Sequence, residues 1–463
     1  MISTKAKPIV VELSPTINEV SVNQPVLFLD DRFISEQIGL KRHMGGLVKW
    51  PGNPIFKPRF PWEGRCTIIW GSVLWDATEG LFKMWYEAYN PIDPHPCHRI
   101  CYATSNDGID WDRPSLGLIE WQGSRDNNMV HIGDDTIDSA TVAIDPFDAP
   151  PEQRYKMMLY DHSHRALVRM ASPDGMRWRH LGPVSLRGSV GDRHSMLADC
   201  QQGKWVVYHR ESSPVRTVCM STSDDFEHWT QHGEVLRASK TIDPPETELY
   251  GLIGFREQGV GLGFLEMFHT LERRLDTQLV RLDDEGRPSR FMPHQPLLNR
   301  GEWGDWDSTW VCPGNCAPVR VGEELRIYYQ GRRTLHWSDP PNGIGHIGAI
   351  GMARLRPHGW AYLEPTGDTG TLTTVSLRVV GRSLCVNADA RNGEVRAELL
   401  DERDQPLPGY GVADCHPLTS DATFFKMAFR GKSNLSLLSG MPVRIRLHLK
   451  KARLYSFWFY EGP

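Results

Sequence analysis

Long apolar runs are missing: no stretch approaches the roughly 18 residues of a membrane-spanning helix. No membrane partner is therefore expected. A basic excess is missing as well, since 52 Lys and Arg face 57 Asp and Glu for a net charge of -5. A chain of that balance has no positive stripe for a phosphate backbone, so no nucleic acid is expected either. The opening Met1 to Pro15 lacks the charged and then apolar pattern of a secretory leader, which makes the cytoplasm the expected location. Cysteine is sparse, and its count of nine is odd, so reduced thiols are expected rather than a disulfide framework. The pairs Cys97/Cys101 and Cys312/Cys316 are spaced more loosely than a zinc knuckle. No metal and no cofactor are assigned. Sustained helical periodicity is also lacking, which excludes a bundle or a doubly wound α/β fold.

What the sequence does hold is glycine (42), proline (33) and tryptophan (16). Gly and Pro punctuate short strands, and aromatics fill pleated surfaces, so the composition is that of a turn-rich all-β chain long enough for two domains. Flat indoles also stack on sugar rings, although most are expected in the core.

An internal repeat organises the first four-fifths of the chain. Ser105-Asn106-Asp107-Gly108-Ile109-Asp110-Trp111 returns as Ser172-Pro173-Asp174-Gly175-Met176-Arg177-Trp178 and as Ser223-Asp224-Asp225-Phe226-Glu227-His228-Trp229. Each copy follows an alternating strand, and its Asp-Gly step supplies the positive φ of a tight hairpin. The motif is thus structural. Four strands per unit of about 50 to 65 residues make a propeller blade, and five units are counted. Their innermost strands are expected near Cys66–Leu74, Ser139–Ile144, His194–Asp199, Leu249–Phe255 and Thr309–Val319, with Val26 to Ile34 as a spare strand that closes the ring. After about residue 370 the spacing changes to short alternating strands. The expected architecture is therefore all-β: a five-bladed propeller over residues 1–368 and a β-sandwich over 369–463, the latter an accessory contact for sugar or for a second copy in a homo-oligomer.

The hairpin signature Tyr102 to Trp111, its repeats at Ala171 and Ser221 and the closing sandwich together resemble the five-bladed glycoside hydrolases of the family 32 and family 43 type. The strings Leu27 to Asp31, Trp62-Glu63, Gly123 to Asn128, Arg154-Tyr155-Lys156 and Leu384 to Asp389 look like bacterial propeller proteins labelled family 32-like. This resemblance implies the propeller fold and action on a glycoside. The Asn-Asp-Pro-Asn-Gly, Arg-Asp-Pro and Glu-Cys motifs of family 32 do not stand intact here, and Ile144-Asp145-Pro146 only imitates the second. Catalytic roles therefore cannot be carried over by motif.

Propeller geometry selects candidates instead, because the inner strands of all blades begin at one mouth of the central channel. Carboxylates at or before those starts are Glu63, Asp135 and Asp138, Asp192, Asp243, Glu246 and Glu248, and Asp305 and Asp307. Crowded acids push their pKa values apart, as an acid and a base or nucleophile require. Glu63, Asp192, Glu248 and Asp307 are the catalytic candidates, with Glu63 or Asp192 as base or nucleophile and Glu248 as acid. Second-strand ends return to the same mouth with Glu87, Asp161-His162, Arg210, Glu266, His269 and Arg332. Glu266, set among apolar neighbours, is a further candidate acid. Arg65, His194, Arg210 and His269 are candidates to bind hydroxyls, a uronate or phosphate, and Trp62 or Trp310 to floor a sugar. The expected activity is glycoside hydrolysis, with a furanoside among the candidate substrates. A glycoside phosphorylase and a non-catalytic sugar-binding propeller remain open.

Overall fold

The computed structural model describes residues 18–89, 98–132, 137–188, 190–212, 214–336, 338 and 346–462. The described residues are all β apart from three single-turn 3-10 helices, and no helix is long and apolar enough to cross a membrane. Asp135 and Cys97 lie outside the described residues. The chain divides into two compact units, 44–360 and 1–43 with 361–463.

Unit 44–360 consists of five antiparallel meanders. The first runs Cys66–Asp76, Leu81–Tyr89, Arg99–Ser105, Met129–Ile132; the second Ile137–Ile144, Tyr155–Asp161, Ala166–Ser172, Arg179–Pro183. The third is Val190–Asp199, Lys204–Glu211, Thr217–Ser223, Thr230–Leu236, and the fourth Thr247–Glu257, Val260–His269, Arg274–Leu282, Pro288–Arg290. The fifth differs: its expected first strand is split into Trp310–Pro313 and Val319–Val321, followed by Glu324–Arg332, Gly348–Leu355 and, from before the first meander, Val48–Lys49. The split lets Asn315 turn its amide inward, onto the carbonyl of Trp70 at 2.7 Å.

Closure of the ring by an N-terminal strand thus occurs, but with Val48–Lys49 on Gly348–Leu355 and Phe56 bridging Ile350. Val26–Leu27 instead pairs with Arg453–Tyr460, and Ile34–Ile38 with Thr369–Thr374, both in the other unit. The reason is pattern: Ile34–Ile38 is mostly exposed and polar, unlike a strand fit for a propeller interior.

In the repeated hairpin, Ser105 Oγ accepts the N–H of Gly108 at 2.8 Å, while Asp107 Oδ1 accepts those of Ile109 and Asp110 at 2.8 and 2.9 Å. Ser172 and Asp174 repeat the pattern, and Asp225 repeats its share. Positive φ falls on Gly108 and Gly175 (74° and 77°), and in the third copy on Phe226 (65°). Each turn is also gripped by the meander before it. Trp85 Nε1 donates to the carbonyl of Gly175 at 2.6 Å, Arg169 Nη1 to that of Phe226 at 2.8 Å, Tyr208 OH to that of Gly286 at 2.6 Å, and Tyr328 OH to that of Gly108 at 2.9 Å. The last of these ties the fifth meander to the first. Between fourth and fifth, Trp360 packs on Phe255 and Phe264.

The second unit has two sheets over one apolar core. One carries Leu40–Met44, Ala361–Pro365, Arg453–Tyr460, Ser383–Asp389 and Asp421–Lys426; the other Ile34–Ile38, Thr369–Thr374, Pro442–Lys450 and Glu394–Leu400. Strict alternation in Pro442–Lys450 puts Val443, Ile445, Leu447 and Leu449 inside and arginines outside.

A Cβ at Gly175 would meet the Trp85 ring at 2.5 Å, whereas one at Gly203, with a similar φ, meets nothing within 4 Å. Gly175→Ala is expected to destabilise by about 2–5 kcal/mol and Gly203→Ala by only about 1–2 kcal/mol, as read from urea denaturation midpoints. Equal losses would show that the grip on the turn contributes nothing.

Candidate functional site

Contacts among side chains from all five meanders close on themselves at one end of the first unit. Tyr89 stacks on the imidazole of His98, with centroids 4.2 Å apart. His98 Nδ1 lies 3.0 Å from Glu87 Oε2 and 3.1 Å from Asp138 Oδ1, and His162 Nε2 lies 3.1 Å from Asp138 Oδ2. One oxygen of Asp192 lies within 4.8 Å of the His162 and Asp138 ligand atoms. Asp192 pairs with Arg210, whose guanidinium sits 4.6 Å from the centroid of Tyr250. Tyr250 OH meets His336 Nε2 at 3.0 Å, and His336 stacks on Trp310 at 5.1 Å. Arg332 lies 4.4 Å from the centre of Trp310 and 5.8 Å from that of Tyr89, where the circuit began. A cleft of about 540 Å³ opens beside it, lined by Tyr160, His162, Arg165, Asp192, Arg210 and Ser212.

Strand geometry explains the convergence. Asp138 begins the first strand of its meander and pairs with Tyr160, while Glu87 and Arg210 end second strands, so starts and returns meet at the same edge. The electrostatics follow from burial. Glu87 is fully buried, and desolvation pushes its carboxyl up to about 7, against the His98 hydrogen bond that would lower it. Burial also opposes ionisation of Asp138, yet the His98 and His162 imidazoles hold it well below the usual carboxylate range. Burial works against the His98 cation too, but Asp138 and Glu87 raise it well above an ordinary histidine. His162 is raised by its hydrogen bond to Asp138. Neighbouring carboxyls with pKa values driven apart, sharing one imidazole, can give and take protons.

Other sequence candidates are placed elsewhere. Glu63 is fully buried in the turn Pro61–Glu63, where it accepts the N–H groups of Arg59 and Phe60 (2.6 and 3.0 Å), Arg113 Nε (2.7 Å) and Tyr86 OH. Four donors surround it, and it lies outside the circuit. Asp307 is likewise buried and held by Lys49 Nζ at 2.6 Å and Tyr329 OH at 3.0 Å, on the outer side of the fifth meander. Glu266, expected as an acid, is committed to Arg193 through two hydrogen bonds, one at 2.7 Å. Glu248 pairs with Arg216, whose guanidinium also faces Tyr250, at 5.8 Å. His194 hydrogen-bonds the carbonyl of Met158 at 3.0 Å, and burial lowers it to about 3, so it stays neutral. His269 is bonded to Asp276 at 2.8 Å, away from the circuit. Trp62 stacks on Phe60 and donates to Asn128. Arg65 contributes backbone bonds to Tyr89 and Ile347.

The structure thus brings together Glu87, Asp138, His162, Asp192, Arg210, Trp310 and Arg332 from the sequence candidates, with Glu248 at the margin. His98, Tyr89, Tyr250, Arg216 and His336 join them without having been singled out. Two groups have donors suited to a divalent cation, Glu87 with His98 and Asp138, and Asp138 with His162 and Asp192. Cys312 is buried among apolar groups, and Cys316 Sγ accepts the N–H of Val73.

Glu87 has a folded pKa raised above its unfolded value, so its neutral form stabilises the fold below about 4.5 and that contribution is lost as pH rises to about 7. Glu87→Gln, which cannot ionise, is expected to remove a slope of about 1–3 kcal/mol between those limits. Denaturation of both proteins across pH 4.5–7.5 measures it, and parallel curves would contradict the assigned environment.

No family model matches the sequence, and no curated protein matches it. Solved structures do. A glycosyl hydrolase from Bacteroides ovatus is 16% identical over 67% of this chain and 94% of its own, with a TM-score of 0.43. An α-L-arabinofuranosidase from Podospora anserina is 11% identical over 68% and 98%, with a TM-score of 0.45. A β-fructofuranosidase from Bombyx mori is 10% identical over 93% of this chain and 95% of its own, with a TM-score of 0.42.

Proposed function

We propose that the five meanders are the blades of a five-bladed propeller, that the second unit is a β-sandwich, and that the chain is a glycoside-cleaving enzyme working at the circuit around Tyr250. The observation that carries this reading is the juxtaposition of Glu87, His98, Asp138, His162 and Asp192 beside an open cleft. The hairpin likeness to propeller glycoside hydrolases agrees with it.

Cleavage of an acetal needs a proton for the departing oxygen and an electron pair for the anomeric carbon. Asp192 is about a quarter exposed and faces the cleft, so it takes the base or nucleophile role. Arg210 orients it through a charge-assisted hydrogen bond. The proton comes from the Glu87–His98 pair, in which the buried carboxyl reloads the more exposed imidazole. Asp138 holds that imidazole at the same ring nitrogen, Nδ1. This moves the acid from Glu248, whose carboxylate is tied to Arg216, to a pair that stores a proton near neutrality.

With a panel of aryl furanosides and pyranosides, Asp192→Asn is expected to lower kcat by about 10²–10⁴-fold on whichever glycoside the wild type cleaves, with little change in Tm. Full turnover by that variant on every such substrate would sink the assignment. Glu63→Gln and Asp307→Asn are expected to behave oppositely, losing about 1–3 kcal/mol of stability while the folded protein keeps its kcat. The alkaline limb of kcat is expected to fall above about pH 7 as the donor pair loses its proton. A flat profile to pH 9 would remove Glu87 and His98 from the proton path.

A further inference from the structure

Three arginines pack on the rings of the circuit, and two are matched by carboxylates: Arg210 by Asp192 and Arg216 by Glu248. Arg332 is not. Among the described residues no carboxylate lies within 4.0 Å of it, and its buried Nε has no hydrogen-bond partner. It is nonetheless held firmly, because its carbonyl accepts the N–H and the hydroxyl of Thr309 at 2.9 and 2.7 Å. The faces of Trp310 and Tyr89 flank its guanidinium. Rings compensate a cation only in part, and a buried charge ordinarily has a counterion. A second unmatched donor is near: Nη1 of Arg210 is buried without a partner. Burial, with Arg332, Arg216 and Arg210 adding to it, lowers His336 to about 3, so that imidazole stays neutral beside the guanidinium.

We propose that Arg332, assisted by Arg210, is an oxyanion-binding site on the circuit, taking either the carboxylate of a uronic acid glycoside or free phosphate. The planar fork of a guanidinium fits both anions. Arg210 also holds Asp192, so the anion sits next to the reacting carboxylate and belongs to the substrate rather than to a remote surface. The site rests on the glycoside reading above and narrows its substrate class to acidic sugars or to sugars processed with phosphate.

Calorimetric titration of the full chain in chloride buffer, with methyl glucuronide, inorganic phosphate and methyl glucoside, tests it. The wild type is expected to bind one of the two oxyanions at least about tenfold more tightly than methyl glucoside, and which one it binds identifies the source. Arg332→Met is expected to abolish that preference, and Arg332→Lys to keep part of it. Should Arg332→Met fail to fold, the Lys variant and competition by sulfate on the wild type decide the matter. No oxyanion preference in the wild type, or an undiminished one in Arg332→Met, overturns the proposal. Loss of turnover in Asp192→Asn without any oxyanion preference would defeat this site alone. Oxyanion preference with Asp192→Asn fully active would defeat the glycosidase assignment alone.

Discussion

The ring is held at its axis by one buried tie. Arg193, from the third meander, grips Glu266 of the fourth and reaches Asn315 of the fifth, whose amide donates to the carbonyl of Trp70 in the first. Ser72, two residues on, donates to Asn315 and accepts the N–H of Val142 in the second meander at 2.9 Å. All five meanders therefore share one polar hub in an otherwise apolar centre. Gly251 is required beside it, because a Cβ there would lie 2.6 Å from Arg193 Cγ. Buried ion pairs add little net stability, but leaving one partner unmatched is severe, so the hub specifies which arrangement forms more than how stable it is.

The hub also accounts for where the chemistry can be. Glu266 neutralises Arg193, and Asn315 and Ser72 are taken up by hydrogen bonds within the hub. The groups of the proposed site lie at the strand edges instead, where His162 and Asp192 meet the cleft. There the charges are only partly matched. A circuit of three carboxylates, two histidines with raised pKa values and several arginines couples its titrations, so protons are shared among its groups.

Much of the fold could be read from local pattern. The Ser-x-Asp-Gly-x-x-Trp hairpin is a short-range signal, since its hydrogen bonds span two or three residues. Even its exception is intelligible, as Phe226 takes the positive φ and buries its ring against Trp205. The site was legible only in part. Glu63 and Glu87 look alike along the chain, both carboxylates near strand ends, but Arg113 claims Glu63 from 50 residues away, and no periodicity reveals that. His98 and His336 lie just outside strands, so alternation does not flag them, and their partners Asp138 and Tyr250 come from other meanders. The partner of Asp307 is hidden for a related reason. The fifth meander takes its outer strand from before the first, which brings Lys49 to a residue 258 positions away.

That borrowed strand has a consequence for synthesis. Unit 44–360 begins and ends in one meander, with the N–H of Gly45 bonded to the carbonyl of Trp360 at 2.7 Å. It is an insertion whose two ends meet, and every partner it needs has been translated once Trp360 has emerged. The other unit is different: Val26–Leu27 must find Arg453–Tyr460, and Ile34–Ile38 must find Thr369–Thr374. Its earliest strands are made first and completed last, while the inserted unit is able to fold as the chain emerges. The ribosome thus delivers a finished ring before its neighbour can assemble, and the exposed strand edges of residues 26–38 are what a chaperone would have to shield in the interval.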